Sequence, residues 1–323
     1  MTAGRALVFV LALSWANALP TPGELDFVEN VRDVGMPRIV SGWEAEEGQI
    51  PYQLSLRMVA KNGAVFSCGA TIIHSEWGLT AAHCTAERVT IVIRAGGRAL
   101  SRPQLLFETT DYYNHPEYDE SLTIVQPHDI GVIKFNRVLE FNDLVQPIRL
   151  QASADKYKNY DMIRLQTSGW GRTWTNGVGP EVLNWVYLLG TSNARCRAAF
   201  GGSPIVVDST ICASNYNVTS QSTCQGDSGG PLVVIDVDGL PSEVGVTSFV
   251  SGTGCHTGFP AGFIRPGPYH EWLTEVTGID FDWDPSSTTP TSPSPPEEDS
   301  EESEEGEEDT SSSSSSEEGE EDD

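Results

Sequence analysis

Positive charge is scarce in this chain. Against 46 aspartates and glutamates stand 19 lysines and arginines, a net charge of −27. So acidic a chain repels polyanions, which excludes general binding to phosphate backbones, and no nucleic-acid partner is expected. Metal-ligand spacings are missing as well: there is no C-x-x-C pair and no H-E-x-x-H. Neither a metal nor another cofactor is therefore expected. No apolar run is long enough to cross a bilayer as a helix, so no membrane span is expected. The one apolar stretch near the start, Ala6 to about Trp15, follows Arg5 and precedes the small-x-small sequence Ala16-Asn17-Ala18. That is the pattern of a secretory signal peptide over residues 1–18, removed on export. The chain has only six cysteines, and in an oxidising compartment they are expected to be paired. Composition leaves the pairing open.

The negative charge is unevenly spread. Residues 285–323 hold 16 of the acidic residues and no basic one, whereas residues 39–284 hold 26 acidic and 16 basic. Residues 285–296 are rich in serine, threonine and proline; from Glu297 onward the chain is glutamate, aspartate, serine and glycine. Such a composition cannot bury enough apolar surface to offset chain entropy, so disorder is expected. A dense anionic tail is expected to bind cations or a basic matrix, its bland rival being a solubilising bristle. Residues 39–284 read as one domain of short apolar runs, among them Val89-Thr90-Ile91-Val92-Ile93 and Pro231-Leu232-Val233-Val234-Ile235. β-Branched and aromatic residues dominate these runs, and turn residues bound them, which predicts an all-β barrel or sandwich. One helix is predicted, about 269–276, after Gly267-Pro268 and ending at Gly278.

Three motifs carry chemistry. Cys224-Gln225-Gly226-Asp227-Ser228-Gly229-Gly230-Pro231 sets a serine between glycines. Thr80-Ala81-Ala82-His83-Cys84 supplies a histidine, and His128-Asp129-Ile130-Gly131 a carboxylate. A serine hydroxyl is a weak nucleophile at neutral pH. It needs an imidazole to take its proton, and the imidazole needs a fixed tautomer. His83, Asp129 and Ser228 stand in an order in which hydrolases assemble base, orienting acid and nucleophile. The four histidines outside these motifs, His74, His115, His256 and His270, show no ligand spacing and read as surface residues. Asn217-Val218-Thr219 is the one N-glycosylation triplet.

Together with Ile39-Val40-Ser41-Gly42, Ser168-Gly169-Trp170-Gly171 and Val246-Thr247-Ser248-Phe249-Val250, these motifs resemble the chymotrypsin family of serine endopeptidases. Within it the chain looks closest to the insect chymotrypsin-like, elastase-like and collagenolytic enzymes. The resemblance implies two six-stranded antiparallel barrels with the active site between them. It implies disulfides Cys68–Cys84, Cys196–Cys212 and Cys224–Cys255, each worth about 3 kcal/mol in the chain-entropy model. It assigns the catalytic roles to His83, Asp129 and Ser228, and an oxyanion hole to the N–H groups of Gly226 and Ser228. It assigns Ser248 to the support of Asp129. It further implies a zymogen with pro-segment 19–38, cleaved after Arg38 by a trypsin-like partner, so that the new amino group of Ile39 pairs with Asp227. Ser222 would form the base of the substrate pocket, with Val250 and Ala261 as its walls. No acid lies at that base, which implies apolar preference on protein or peptide substrates. A monomer is expected. The competing reading is a binding protein on the protease fold, catalytically vestigial and acting through its tail.

Overall fold

The computed structural model describes residues 42–287. The readings of the signal peptide, of Arg38 and Ile39, and of the acidic tail lie outside the described residues. The first half of the domain contains β1 (Trp43–Glu44), β2 (Gln53–Ala60), β3 (Val65–His74), β4 (Trp77–Thr80), α1 (Ala82–Thr85), β5 (Arg88–Ala95), β6 (Leu105–Thr109), β7 (Tyr112–Asn114) and β8 (Gly131–Lys134). The second contains β9 (Arg149–Leu150), β10 (Arg164–Gly169), β11 (Asn184–Thr191), α2 (Asn193–Ala199), β12 (Thr210–Asn215), β13 (Pro231–Ile235), β14 (Pro241–Phe249), β15 (Ala261–Ile264) and α3 (His270–Thr277).

Alternation drives the strands. In β5 the side chains of Ile91, Ile93 and Ala95 are buried while Thr90, Val92 and Arg94 are not, the period of two that half-buried sheet requires. Strands β11, β10, β13, β14, β15 and β12 pair in that order, and β12 pairs back to β11, so the second half closes into a six-stranded barrel. The first half is the more open of the two expected barrels: β6 pairs with β5, and β7, only residues 110–111 further on, pairs with β8. Its seven strands run β6-β5-β2-β3-β4-β8-β7, with β6 and β7 as edges. Side-chain and turn bonds bridge that seam: Thr109 Oγ1 donates to Lys134 O at 2.8 Å, and Lys134 N–H donates to Asp111 O at 2.9 Å.

Each half has its own core. Leu54, Leu56, Ile72, Leu79, Ile93 and Ile130 centre the first, and Leu165, Val186, Leu188, Leu232 and Phe263 the second. The terminal helix crosses over, since Leu273 of α3 packs into the first core. It begins one residue later than predicted, after a 3₁₀ turn at Gly267–Tyr269. It ends as predicted at Gly278, whose φ of +74° makes the left-handed cap. Helix α2 went unpredicted: Ser192 caps it and the Cys196–Cys212 disulfide pins it, a tertiary constraint outweighing a weak local signal. Of the histidines read as surface residues, His270 is buried, its Nε2 lying 2.7 Å from Gln151 O. Helix α3 turns that side chain inward against the segment after β9.

Between the two cores lies Glu243 on β14, fully buried, accepting a 2.6 Å hydrogen bond from Thr71 Oγ1 on β3. Its Oε1 has no hydrogen-bond partner among the described residues. Burial pushes its carboxyl up to about 8, and the Thr71 bond only partly opposes this. The folded protein therefore keeps a proton that the unfolded chain, titrating at its ordinary 4.5, has released. Stability should fall as pH rises from about 4.5 to about 8. Replacing Glu243→Gln should remove that slope. Urea melts of the Ser228→Ala protein, which cannot digest itself if Ser228 is the nucleophile, should show the Gln variant gaining on the order of 4 kcal/mol relative to its parent between pH 5 and pH 8.5. A pH-independent difference between the two would refute the assignment.

Candidate active site

His83 sits in the single turn α1, directly after β4. Ala81 and Ala82 are fully buried, and only small side chains let that turn lie so close under the sheet. Cys84 is bonded to Cys68 on β3, which fastens the turn at its other side. Two hydrogen bonds then fix the histidine to one carboxylate. His83 Nδ1 lies 2.7 Å from Asp129 Oδ2, and the His83 backbone N–H donates to Asp129 Oδ1 at 2.8 Å. Asp129 is 3% exposed. Across the interface, Ser248 Oγ donates to Asp129 Oδ2 at 2.6 Å. Ser248 reaches it because the β14–β15 register slips between Thr247 and Phe249, and such irregularities re-aim side chains. Burial pulls the His83 pKa down and Arg88 adds to that pull. The charge and hydrogen bond of Asp129 outweigh both, so the imidazole titrates above its ordinary 6.5.

The Ser228 loop is held from both halves. Gly69 N–H on β3 donates to Ser228 O at 2.7 Å, and Gly229 N–H donates to Thr247 O at 2.7 Å. Gly229, at φ +76°, lies so close to β4 that a Cβ there would stand 2.1 Å from Thr80 Oγ1. Ser228 is thereby set against the segment leading into His83. The N–H groups of Asp227 and Gly230 are used on Cys224 O at 3.0 Å and Asp227 O at 2.9 Å. Those of Gly226 and Ser228 enter no backbone hydrogen bond among the described residues. Gly226 has φ +103°, a backbone that L side chains rarely adopt.

Asp227 itself points inward and is fully buried. Gly171 N–H and Cys224 N–H each donate to it at 2.8 Å. A Cβ on Gly169 or Gly171 would come within 2.2 or 2.4 Å of its carboxylate, which explains the glycines of Ser168-Gly169-Trp170-Gly171. Burial pushes the Asp227 carboxyl up to about 6, against the pull of those two amides. Ser222 is buried, its Oγ donating to Thr223 O at 3.0 Å. Val250 packs on the Cys224–Cys255 disulfide and on the cluster that contains the buried Ala261. Asn217 is exposed, in a loop whose Tyr216, Asn217 and Val218 N–H groups all donate to Gln221 Oε1. All three disulfides join the pairs that the resemblance implies, Cys196–Cys212 lying away from this site.

The family model described as Trypsin matches residues 39–273. The chain belongs to the trypsin family of serine proteases. A collagenase from Hypoderma lineatum is 34% identical over 275 residues, covering 85% of this chain and 98% of the relative. Serine protease 1 from Drosophila melanogaster is 35% identical, covering 76% and 87%. The chymotrypsin-like elastase family member 1 of Rattus norvegicus is 32% identical, covering 74% and 89%. The solved structure titled HL collagenase superposes with a TM-score of 0.66 at 33% identity, covering 75% of this chain and 99% of that one. The protein is thus a serine endopeptidase, acting on protein substrates.

Several residues of the protease's site carry no short-range sequence signal. Arg88 donates from Nη2 to His83 O at 3.3 Å and from Nε to Cys84 O at 3.1 Å, while its guanidinium lies over Phe66. Ser168 Oγ donates to Gln53 Oε1 at 2.6 Å, joining β10 to β2 behind the Ser228 loop. Around His83 a cavity of about 410 Å³ is walled by Phe66, Tyr118 and residues 122–126. Leu122, Ile124 and Val125 there are exposed. Cys68, His83 and Cys84 come together, but both sulfurs are committed to the disulfide and offer no ligand. No helix among the described residues is long and apolar enough to cross a membrane. Because Asp129 holds the His83 pKa up, Asp129→Asn should lower its titration midpoint. NMR titration of the imidazole in the Ser228→Ala protein reads this directly. An unchanged midpoint would mean that another group sets the charge of His83.

Proposed function

We propose that the protein is a secreted zymogen whose Ser228 attacks the scissile carbonyl of polypeptides, with preference for apolar side chains. The observation that carries this is the hydrogen-bonded set His83, Asp129 and Ser248, beside a loop whose Gly226 and Ser228 amides have no backbone acceptor among the described residues. His83 takes the Ser228 proton as the Oγ–carbonyl bond forms, and Asp129 stabilises the resulting imidazolium. The two amides donate to the oxyanion. His83 then protonates the leaving amine, and water, deprotonated by His83, releases the acyl group.

Activation follows from the chemistry at Asp227. A buried carboxylate held by two amides, its carboxyl pushed up to about 6, is a poor anion until a cation joins it. The amino group of Ile39, freed by cleavage after Arg38, supplies that cation, and pairing it orders the Gly226–Ser228 amides. The pocket reading rests on Ser222 at the base, with Val250 and Ala261 narrowing it. A guanidinium buried there would lack a partner, so the enzyme does not activate itself and a trypsin-like protease does. Phe66, Leu122, Ile124 and Val125 favour apolar side chains on either side of the scissile bond. The enzyme works as a monomer.

Purified precursor should stay inactive until trypsin-like cleavage after Arg38, then hydrolyse peptides at Leu or Phe at least tenfold faster than at Arg. The activated Ser228→Ala variant should lose at least about 10⁴-fold in turnover. Substantial activity in that variant would overturn the nucleophile assignment, and activation of pure precursor on its own would overturn the pocket. The exposure of Asn217 supports its glycosylation. Mass spectrometry of the secreted chain before and after glycosidase treatment should show a loss of mass at that peptide; an unchanged mass rejects it.

A further inference from the structure

Directly behind the active site lies a second cluster that the activity does not use. His128 precedes Asp129 in sequence and has φ +59°, a left-handed backbone uncommon for a residue with a side chain. Its ring stacks on that of His115, centroids 5.2 Å apart and planes inclined by 18°. Glu117 Oε2 lies 3.1 Å from His128 Nε2. One potential ligand atom from each of His115, Glu117 and His128 lies within 4.8 Å of the other two. Sequence spacing conceals this, because His115 and His128 stand on separate segments that meet only through β7 and β8. There His115 N–H donates to Ile130 O at 3.0 Å, and Ile130 N–H to His128 O at 2.8 Å.

We propose that His115, Glu117 and His128 form a binding site for a divalent cation of the zinc class, coupled to catalysis through the His128–Asp129 peptide. Two imidazoles and a carboxylate are a donor set that zinc accepts with a fourth position left for water. Tetrahedral binding at metal–nitrogen distances near 2.0–2.1 Å brings donors to about 3.3 Å from one another. The adjustment required is small, and the half-buried His128 ring and the Glu117 side chain, 66% exposed, share it. Both rings already carry orienting contacts of the kind that support metal ligands. Tyr269 Oη lies 3.0 Å from His128 Nδ1, and Glu117 N–H donates to His115 Nδ1 at 3.3 Å. Beside the cluster a cavity of about 480 Å³, also bordered by Asp208 and Tyr269, gives an ion and its water room to enter.

The coupling is mechanical. Asp129 holds His83 through two hydrogen bonds, and the residue before it would become a metal ligand. Drawing His128 towards His115 and Glu117 turns the peptide that carries the Asp129 carboxylate. The imidazole then loses its alignment, while the walls of the substrate cleft stay where they are. Occupancy therefore lowers kcat and leaves KM unchanged.

The test has a binding arm that needs no peptidase activity. Zinc chloride is titrated calorimetrically into the full-length Ser228→Ala protein at moderate salt, which weakens any diffuse binding by the acidic tail. One site per chain with micromolar or tighter affinity is expected, weakened at least tenfold by His115→Ala and by Glu117→Gln. Circular-dichroism melts confirm that each variant folds. In the activated enzyme, zinc should lower kcat on a short peptide at least fivefold at constant KM, with recovery on adding EDTA. Glu117→Gln should keep the metal-free kcat and lose the response. Zinc affinities within twofold of the parent in both variants would overturn the site. Zinc bound there with kcat unchanged, or a rise in KM alone, would overturn the coupling.

Discussion

The Asp129 carboxylate is the joint on which this molecule depends. It accepts the ring and the backbone N–H of His83 from the first half of the domain and the hydroxyl of Ser248 from the second. A carboxylate 3% exposed is tolerable only when its lone pairs are matched, so these bonds are conditions of folding as well as of chemistry. They set the spacing of the two halves. They also make the imidazole more basic than burial alone would leave it, and so keep it fit to hold a proton in mid-reaction.

Asp227 repeats the theme with the balance left open. Its carboxylate occupies a pocket made by two glycines without Cβ atoms and receives two amide donors, yet its carboxyl remains raised to about 6. Glu243, a third buried acid between the cores, is raised further. The interface between the halves thus stores unfavourable carboxylates at one point and satisfied ones at another. That contrast separates the parts that only need to stand still from the part that a new cation can reorganise.

Much of this was legible beforehand. Three motifs named His83, Asp129 and Ser228, and the structure brings their segments together. Short runs of β-branched residues marked β5 and β13, and Gly278 marked the end of α3. In the first half the break at residues 110–111, which splits one edge of the barrel into β6 and β7, had no sequence signal. Helix α2 was missed because its stability comes from a disulfide and a cap more than from apolar periodicity.

What the sequence determined by itself is local chemistry: which residues can lose a proton, which glycines can take positive φ, where strands alternate and where a helix must stop. Each depends on neighbours a few positions away. Only the tertiary structure decided the partners. Ser248 meets Asp129 across 119 positions because the β14–β15 register slips there, and Ser168 meets Gln53 across 115 positions because β10 packs against β2. His115 and His128, unremarkable in sequence, share a face because β7 and β8 pair. Register and crossing strands set these distances, and no short window of sequence contains them.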